Sequence, residues 1–238
     1  MTPPVPRANR MPRPRAGHDP KWVIRGAVEG YGPAVPRPTP PITVVAANEA
    51  SWEELQAVFG SARDPAQCWC QRYKMQPGES WRSCGPAELA SRLQAQTRCG
   101  EPGADGTSGL VAYLDGEPIG WCAVEPRTAY PRLLLKTRVP WDGRDEDRRD
   151  DGVWAVTCVL ARKGFRRHGV SRALVRAAVD HARDRRARAV EGYPMLAEAA
   201  KGVLPVELHV GHRSAFADAG FREVARPTIR RCVMRIEL

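Results

Sequence analysis

At 238 residues with 42% hydrophobic side chains, the chain can bury one sizeable core, and a single domain with an appendage fits its length. The formal net charge of +10 raises the question of nucleic acid. Part of the excess, however, sits in the first 41 residues, where Arg7, Arg10, Arg13, Arg15, Lys21, Arg25 and Arg37 face only Asp19 and Glu29. Seven cysteines, an odd number spread along the chain, argue against a disulfide framework and for a reducing compartment.

No apolar run approaches the roughly 20 residues of a membrane span. The N-terminus has no signal-type apolar core, so the expected location is the cytoplasm. Abundant Ala, Arg and Pro point to a GC-rich bacterial genome.

In chain order, residues 1–41 are proline-rich, basic and without sustained periodicity, which predicts a disordered or polyproline-like arm. The folded domain is expected over 42–238. Ile42–Ala47 reads as the first strand. Asn48 or Ser51 can cap a helix carrying Trp52, Leu55 and Phe59, and Asp64-Pro65 breaks that pattern. The apolar, aromatic run Cys68–Met75 predicts a short strand. Gly78–Ser83 should turn, and Pro86–Arg98 should be a helix with Leu89 and Leu93 inside. After a polar, glycine-rich loop over 99–109, Leu110–Val124 reads as a hairpin turning at Asp115-Gly116. Arg127–Pro140 is irregular or briefly helical, and the run RDEDRRDD at 144–151 is a solvated loop.

The stretch from Trp154 to Arg183 organises the rest. An apolar strand enters a basic turn holding Gly164 and Gly169, and an amphipathic helix leaves it. Such a turn aims its N–H groups and the positive helix end at an anion, and Arg166, Arg167 and His168 add donors there. Ala173, Leu174, Ala177, Ala178 and His181 form the inner face of the helix predicted over 170–188. Arg172, Arg176, Arg183 and Arg186 are mostly outside. No second helix precedes it at helix-turn-helix spacing, so a DNA-groove role is disfavoured. A strand at Ala187–Tyr193, a connection around Glu198–Lys201, a helix at His212–Ala219 and strands at Phe221–Ala225 and Ile229–Ile236 complete a mixed α/β sheet. One parallel crossover falls at the anion-binding turn.

The run Arg166-Arg167-His168-Gly169-Val170-Ser171 resembles the Arg/Gln-x-x-Gly-x-Gly/Ala motif of the GNAT acyl-CoA N-acyltransferases. The strand before it, the helix after it and the late Ala219-Gly220-Phe221 are in keeping with that family. Two residues depart from the pattern. Ser171 replaces the usual Gly or Ala. Phe216 stands where many relatives carry a Tyr that protonates the departing thiolate, and phenylalanine has no proton to give.

The resemblance implies a GNAT-type, mostly antiparallel sheet with flanking helices and direct acetyl transfer from acetyl-CoA, as co-substrate, to a primary amine, with no metal. A strand N–H would stabilise the oxyanion. Coenzyme contacts are expected from Arg166, Arg167, His168, Gly169, Val170, Ser171 and Arg172, and from an unpaired strand edge at Cys158, Val159, Leu160 and Ala161.

Glu125 and Glu191 are the candidate general bases, and Tyr193 is a candidate stand-in for the missing tyrosine. Cys158 could carry an acyl group, though a small core residue is the plainer reading. Cys68-x-Cys70 with Cys84 and Cys99 fits no compact zinc site, and His209-x-x-His212 reads as a loop and helix-start pair. The expected acceptor is a small-molecule or peptide amine, with neither membrane nor nucleic acid as partner, in a monomer or homodimer. The alternative is a catalytically degenerate acyl-CoA-binding, nucleic-acid-binding or protein-binding module on the same fold.

Overall fold

The computed structural model describes residues 22–24, 41–196 and 205–238. Eight strands form one sheet in the order β1-β2-β3-β4-β5-β6-β8-β7. They are β1 (Trp22–Ile24), β2 (Ile42–Ala46), β3 (Gly109–Leu114), β4 (Glu117–Pro126), β5 (Val153–Ala161), β6 (Ala189–Gly192), β7 (Arg222–Ala225) and β8 (Val233–Glu237). Every neighbouring pair is antiparallel except β5–β6. The helices are α1 (Trp52–Phe59), α2 (Arg63–Cys68), α3 (Trp81–Thr97), α4 (Pro131–Lys136), α5 (Val170–Asp184) and α6 (Arg213–Ala217).

Alternation along β3 and β4 divides the core in two. Leu110, Ala112 and Cys122 face α5, whose Val170, Ala173, Leu174, Ala177 and Ala178 are buried on them. Val111, Trp121 and Ala123 face the other way, onto Leu55, Val58 and Phe59 of α1 and Leu93 of α3. Each such large apolar side chain taken wholly from water contributes about 1.5–3 kcal/mol. At the hairpin, Asp115 and Gly116 both adopt positive φ, as a tight two-residue turn demands. Ser51 caps α1 in a reciprocal box with Glu54.

Several expectations need correction. Cys68–Met75 forms no strand: α2 ends at Cys68, and Trp69 and Cys70 take left-handed backbone that breaks any ladder. The segment still enters the core, with Cys70, Tyr73 and Met75 buried. Pro65 does not end a helix but sits in the first turn of α2, where its missing N–H is no loss. α5 stops at Asp184, short of the predicted 188, and Arg186 follows at positive φ. Within the stretch expected to be a disordered arm, Trp22–Ile24 form an edge strand on Ile42–Val44. The rest of that stretch to residue 40, and the connection around Glu198–Lys201, lie outside the described residues.

Two irregularities open the sheet. The parallel ladder between β5 and β6 runs from Val153–Ala189 to Val156–Gly192 and stops there. Across the other edge of β5, the pairing with β4 jumps from Cys158 to Val156, leaving Thr157 as an extra residue. Such a bulge bends its strand, here just where β5 parts from β6. β5 then continues to Ala161 paired with β4 alone.

Candidate active site

The gap beyond Val156 opens into a cavity of about 360 Å³. Cys158, Val159, Leu160 and Ala161 form its strand wall, and Arg166, Arg167 and Ser171 line its mouth. The strand edge and the basic turn expected to meet one ligand are thus brought together. Gly164, Arg167 and Gly169 all have positive φ, which winds the turn back on itself. Gly169 (φ +81°) is the N-cap of α5, and no side chain caps the helix. The first N–H groups of α5 are therefore left for an outside acceptor, at the positive end of a 15-residue helix. Arg166 and Arg167 are exposed, and neither is held by an ion pair among the described residues.

Three expected contacts are placed differently. Val170 is buried in the core, so only its backbone is at the turn. Arg172 is paired with Asp218 at 2.5 Å. His168 is exposed and its Nδ1 lies 3.0 Å from the Arg166 carbonyl.

The candidate catalytic residues do not line this cavity. Glu191 is fully buried among arginines: Arg144 bonds both its oxygens, Arg235 reaches Oε1 at 3.0 Å, and Arg127 stands 3.8 Å from Oε2. Tyr193 donates its hydroxyl to the same carboxylate at 3.1 Å, and burial and that negative charge push its phenol well above its usual range. Both groups are thereby occupied in holding the fold. Arg144 and Glu146, expected in a solvated loop, belong to the same network, with Arg127 and Arg235 each also bonding Glu146. Glu125 is paired with Lys74 at 2.5 Å, and burial raises its carboxyl above the usual range despite that partner.

Phe216, at the usual tyrosine position, is fully buried. Its ring lies so close to Gly192 that a Cβ there would stand 2.0 Å from Cε1. This aromatic is core, packed edge-on to Phe221 at 5.2 Å. The Cys158 thiol is held up by its hydrogen bond to Cys70 and by burial, so it stays protonated and a poor nucleophile. Among the described residues, no group of three or more His, Cys, Asp or Glu is arranged to hold a metal ion.

His209 and His212, read from the sequence as an incidental pair, both line the cavity. Their spacing gave no signal, because His209 lies in the last turn of a 3-10 segment (Pro205–Val210) while His212 stands at the N-cap position of α6. Only the folded connection sets them on one wall. His209 sits 6.1 Å from the Tyr73 ring, centroid to centroid. His212, at the N-cap position of α6, is exposed and lines the cavity, whereas Phe216 within the helix is buried in the core.

The model of the acetyltransferase (GNAT) family matches residues 66–194, more than half of the 238-residue chain. The chain belongs to the GNAT acetyltransferase family. Its sheet, with one parallel pair at the splayed strands, is a GNAT-type sheet. Among solved structures, it is similar to a ribosomal-protein-alanine N-acetyltransferase from Brucella melitensis, with 15% identity over 82% of this chain and 99% of that one and a TM-score of 0.46. A GCN5-related N-acetyltransferase from Kribbella flavida shares 18% identity over 83% and 98% of the two chains, with a TM-score of 0.45. An aminoglycoside acetyltransferase in complex with coenzyme A shares 16% over 82% and 94%, with a TM-score of 0.46. At such distance none of their acceptors is carried over to this GNAT chain. Comparison with curated proteins finds no match. Among the described residues, no helix is long and apolar enough to cross a membrane.

Proposed function

We propose that the protein transfers an acetyl group from acetyl-CoA directly to a primary amine. The observation carrying this reading is the coincidence, in one cavity, of an uncapped helix N-terminus, two exposed arginines without an ion pair among the described residues, and a strand edge released from its ladder. The N–H groups of α5 with Arg166 and Arg167 suit a pyrophosphate. The edge Cys158–Ala161 suits the amides of a pantetheine arm, which can pair with it as a strand would. In this reading a backbone N–H of that edge polarises the thioester carbonyl.

His209 is our candidate for the base. The amine attacks the thioester carbon, an N–C bond forms, and His209 accepts the amine's proton as the C–S bond breaks. His212, on the same wall, then supplies the proton the departing thiolate needs, a role Phe216 has no group to fill. Glu125, Glu191 and Tyr193 are given no part in this chemistry, because each is committed to a partner of opposite charge or to a buried hydrogen bond.

The test is thiol release from acetyl-CoA with a panel of amines. The His209→Gln variant should lose about 10²–10⁴ in kcat, the usual worth of a general base. Its coenzyme affinity by calorimetry should be unchanged. Unaltered kcat in that variant would remove His209 from the reaction. A protein that does not bind acetyl-CoA at all would sink the transfer reading itself.

A further inference from the structure

Arg72 and His209 line not one cavity but two. Behind them lies a second space of about 300 Å³, whose other described walls are Tyr73, Met195 and the turn Thr228–Arg231. His209 therefore stands between the coenzyme cavity and this one, where an amine entering from the second cavity would meet both the thioester and the base. The lining is unusual in its charge. Arg72, Arg230 and Arg231 contribute three guanidinium groups, and no described lining residue is acidic.

The turn that presents two of them is tightly built. Thr228 Oγ1 accepts from the backbone N–H of Arg230 at 3.3 Å and of Arg231 at 2.9 Å, and Arg230 O accepts from Leu196 N–H at 3.0 Å. Arg231 Nε donates to the Tyr193 carbonyl at 2.8 Å, which fixes its plane. Its Nη2 is buried and has no hydrogen-bond partner among the described residues. A buried donor without an acceptor is costly, and a ligand that supplies the acceptor recovers that cost. The nearby carboxylates are already engaged. Glu191 is held by its arginines, and Glu223 bonds Arg213 and Arg226.

We infer that the acceptor amine carries its own carboxylate, as an amino acid with an apolar side chain does. This deepens the proposed acetyl transfer and rests on it. Arg230 and Arg231 take the carboxylate, Tyr73, Met195 and Ile229 pack the side chain, and the amine is left facing His209. The products are an N-acetyl amino acid and the free thiol of coenzyme A. A polyamine or aminoglycoside, by contrast, brings positive charge to three guanidinium groups.

The experiment uses the full chain in two arms. Calorimetry compares L-phenylalanine and L-methionine with their carboxamides, with spermidine and with O-phosphoethanolamine. Thiol release from acetyl-CoA is then measured for the same compounds. The free acids should bind about 10- to 100-fold tighter than the carboxamides, the worth of hydrogen bonds to a charged group. Arg230→Ala, whose side chain is exposed and makes no hydrogen bond or ion pair among the described residues, should erase most of that ratio. Equal binding of acid and carboxamide, or a preference for spermidine, overturns the inference. Preference for O-phosphoethanolamine overturns the carboxylate in favour of a phosphate. If the acids bind selectively but acetyl-CoA is neither bound nor cleaved, the transfer reading falls and the anion site stands.

Discussion

Two arginine clusters in this molecule do opposite things. Around Glu191, three guanidinium groups are drawn inside and matched by two carboxylates, Glu191 and Glu146. At the turn before α5, Arg166 and Arg167 stand at the mouth of a cavity that Asp64 also lines, and among the described residues neither is in an ion pair. Charge that is drawn inside and paired is architecture: it ties the loop 144–151 to β6 and β8, joining elements distant in the chain. Charge left exposed and unpaired beside an uncapped helix is an offer to a ligand. The same residue type thus marks a brace in one place and a binding site in the other, and what separates them is the partner, not the arginine.

The largest effect is expected at Glu191. Glu191→Gln keeps the shape but leaves the guanidinium groups of Arg127 and Arg144 with Glu146 as their carboxylate partner, and Arg235 with Glu146 and the exposed Glu237. Removing one partner from a buried ionic cluster typically costs about 3–5 kcal/mol. For a chain of this size that is a fall of roughly 6–20 °C in Tm, read by scanning calorimetry. A Tm within about 2 °C of the parent would show that the network is ornamental. Arg166→Ala with Arg167→Ala should do the reverse. Neither side chain holds another part of the fold among the described residues, so Tm should stay put while acetyl-CoA affinity falls about 10- to 100-fold, by titration calorimetry. That loss should shrink at high salt, where screening already weakens the exposed charges. Unchanged affinity would place the pyrophosphate elsewhere.

Much of this was legible in the sequence, and the reasons are local. The hairpin at Asp115-Gly116, the helix around Leu89 and Leu93 and the strand–turn–helix at 154–184 each rest on turn chemistry or periodicity within a dozen residues. That the strand edge and the basic turn line one cavity followed from the same stretch, because Cys158–Ala161 and Arg166–Ser171 are neighbours in the chain. What escaped was assembled from a distance. Glu191 looked like a cleft carboxylate until Arg144 and Arg235, 47 and 44 residues away, closed on it. His209 looked incidental because the wall it completes includes Arg72 and Cys158, from two other elements. Cys68–Met75 had the composition of a strand, yet left-handed Trp69 and Cys70 let it enter the core as turns.

A smaller effect sharpens the comparison from a third site, where pairing is incomplete. Glu146 is part-buried, and burial opposes its charge, but Arg127, Arg144 and Arg235 together hold its carboxyl below the usual range. Glu125 has Lys74 as its cationic partner, and there burial wins and its carboxyl is raised. The sign of the stability change follows. A carboxyl raised in the folded state binds its proton more tightly than in the unfolded chain. Its contribution is therefore fully present below the unfolded value of 4.5 and is lost as pH rises through the folded value. Glu125→Gln removes this contribution. The stability of the parent relative to the variant should thus fall as pH rises above 4.5, by at most about 1.4 kcal/mol per pH unit, measured by denaturant unfolding at a series of pH values. A parent that instead gains on the variant with rising pH would mean that Lys74 alone outweighs burial, and that one partner suffices where the cluster at Glu146 employs three.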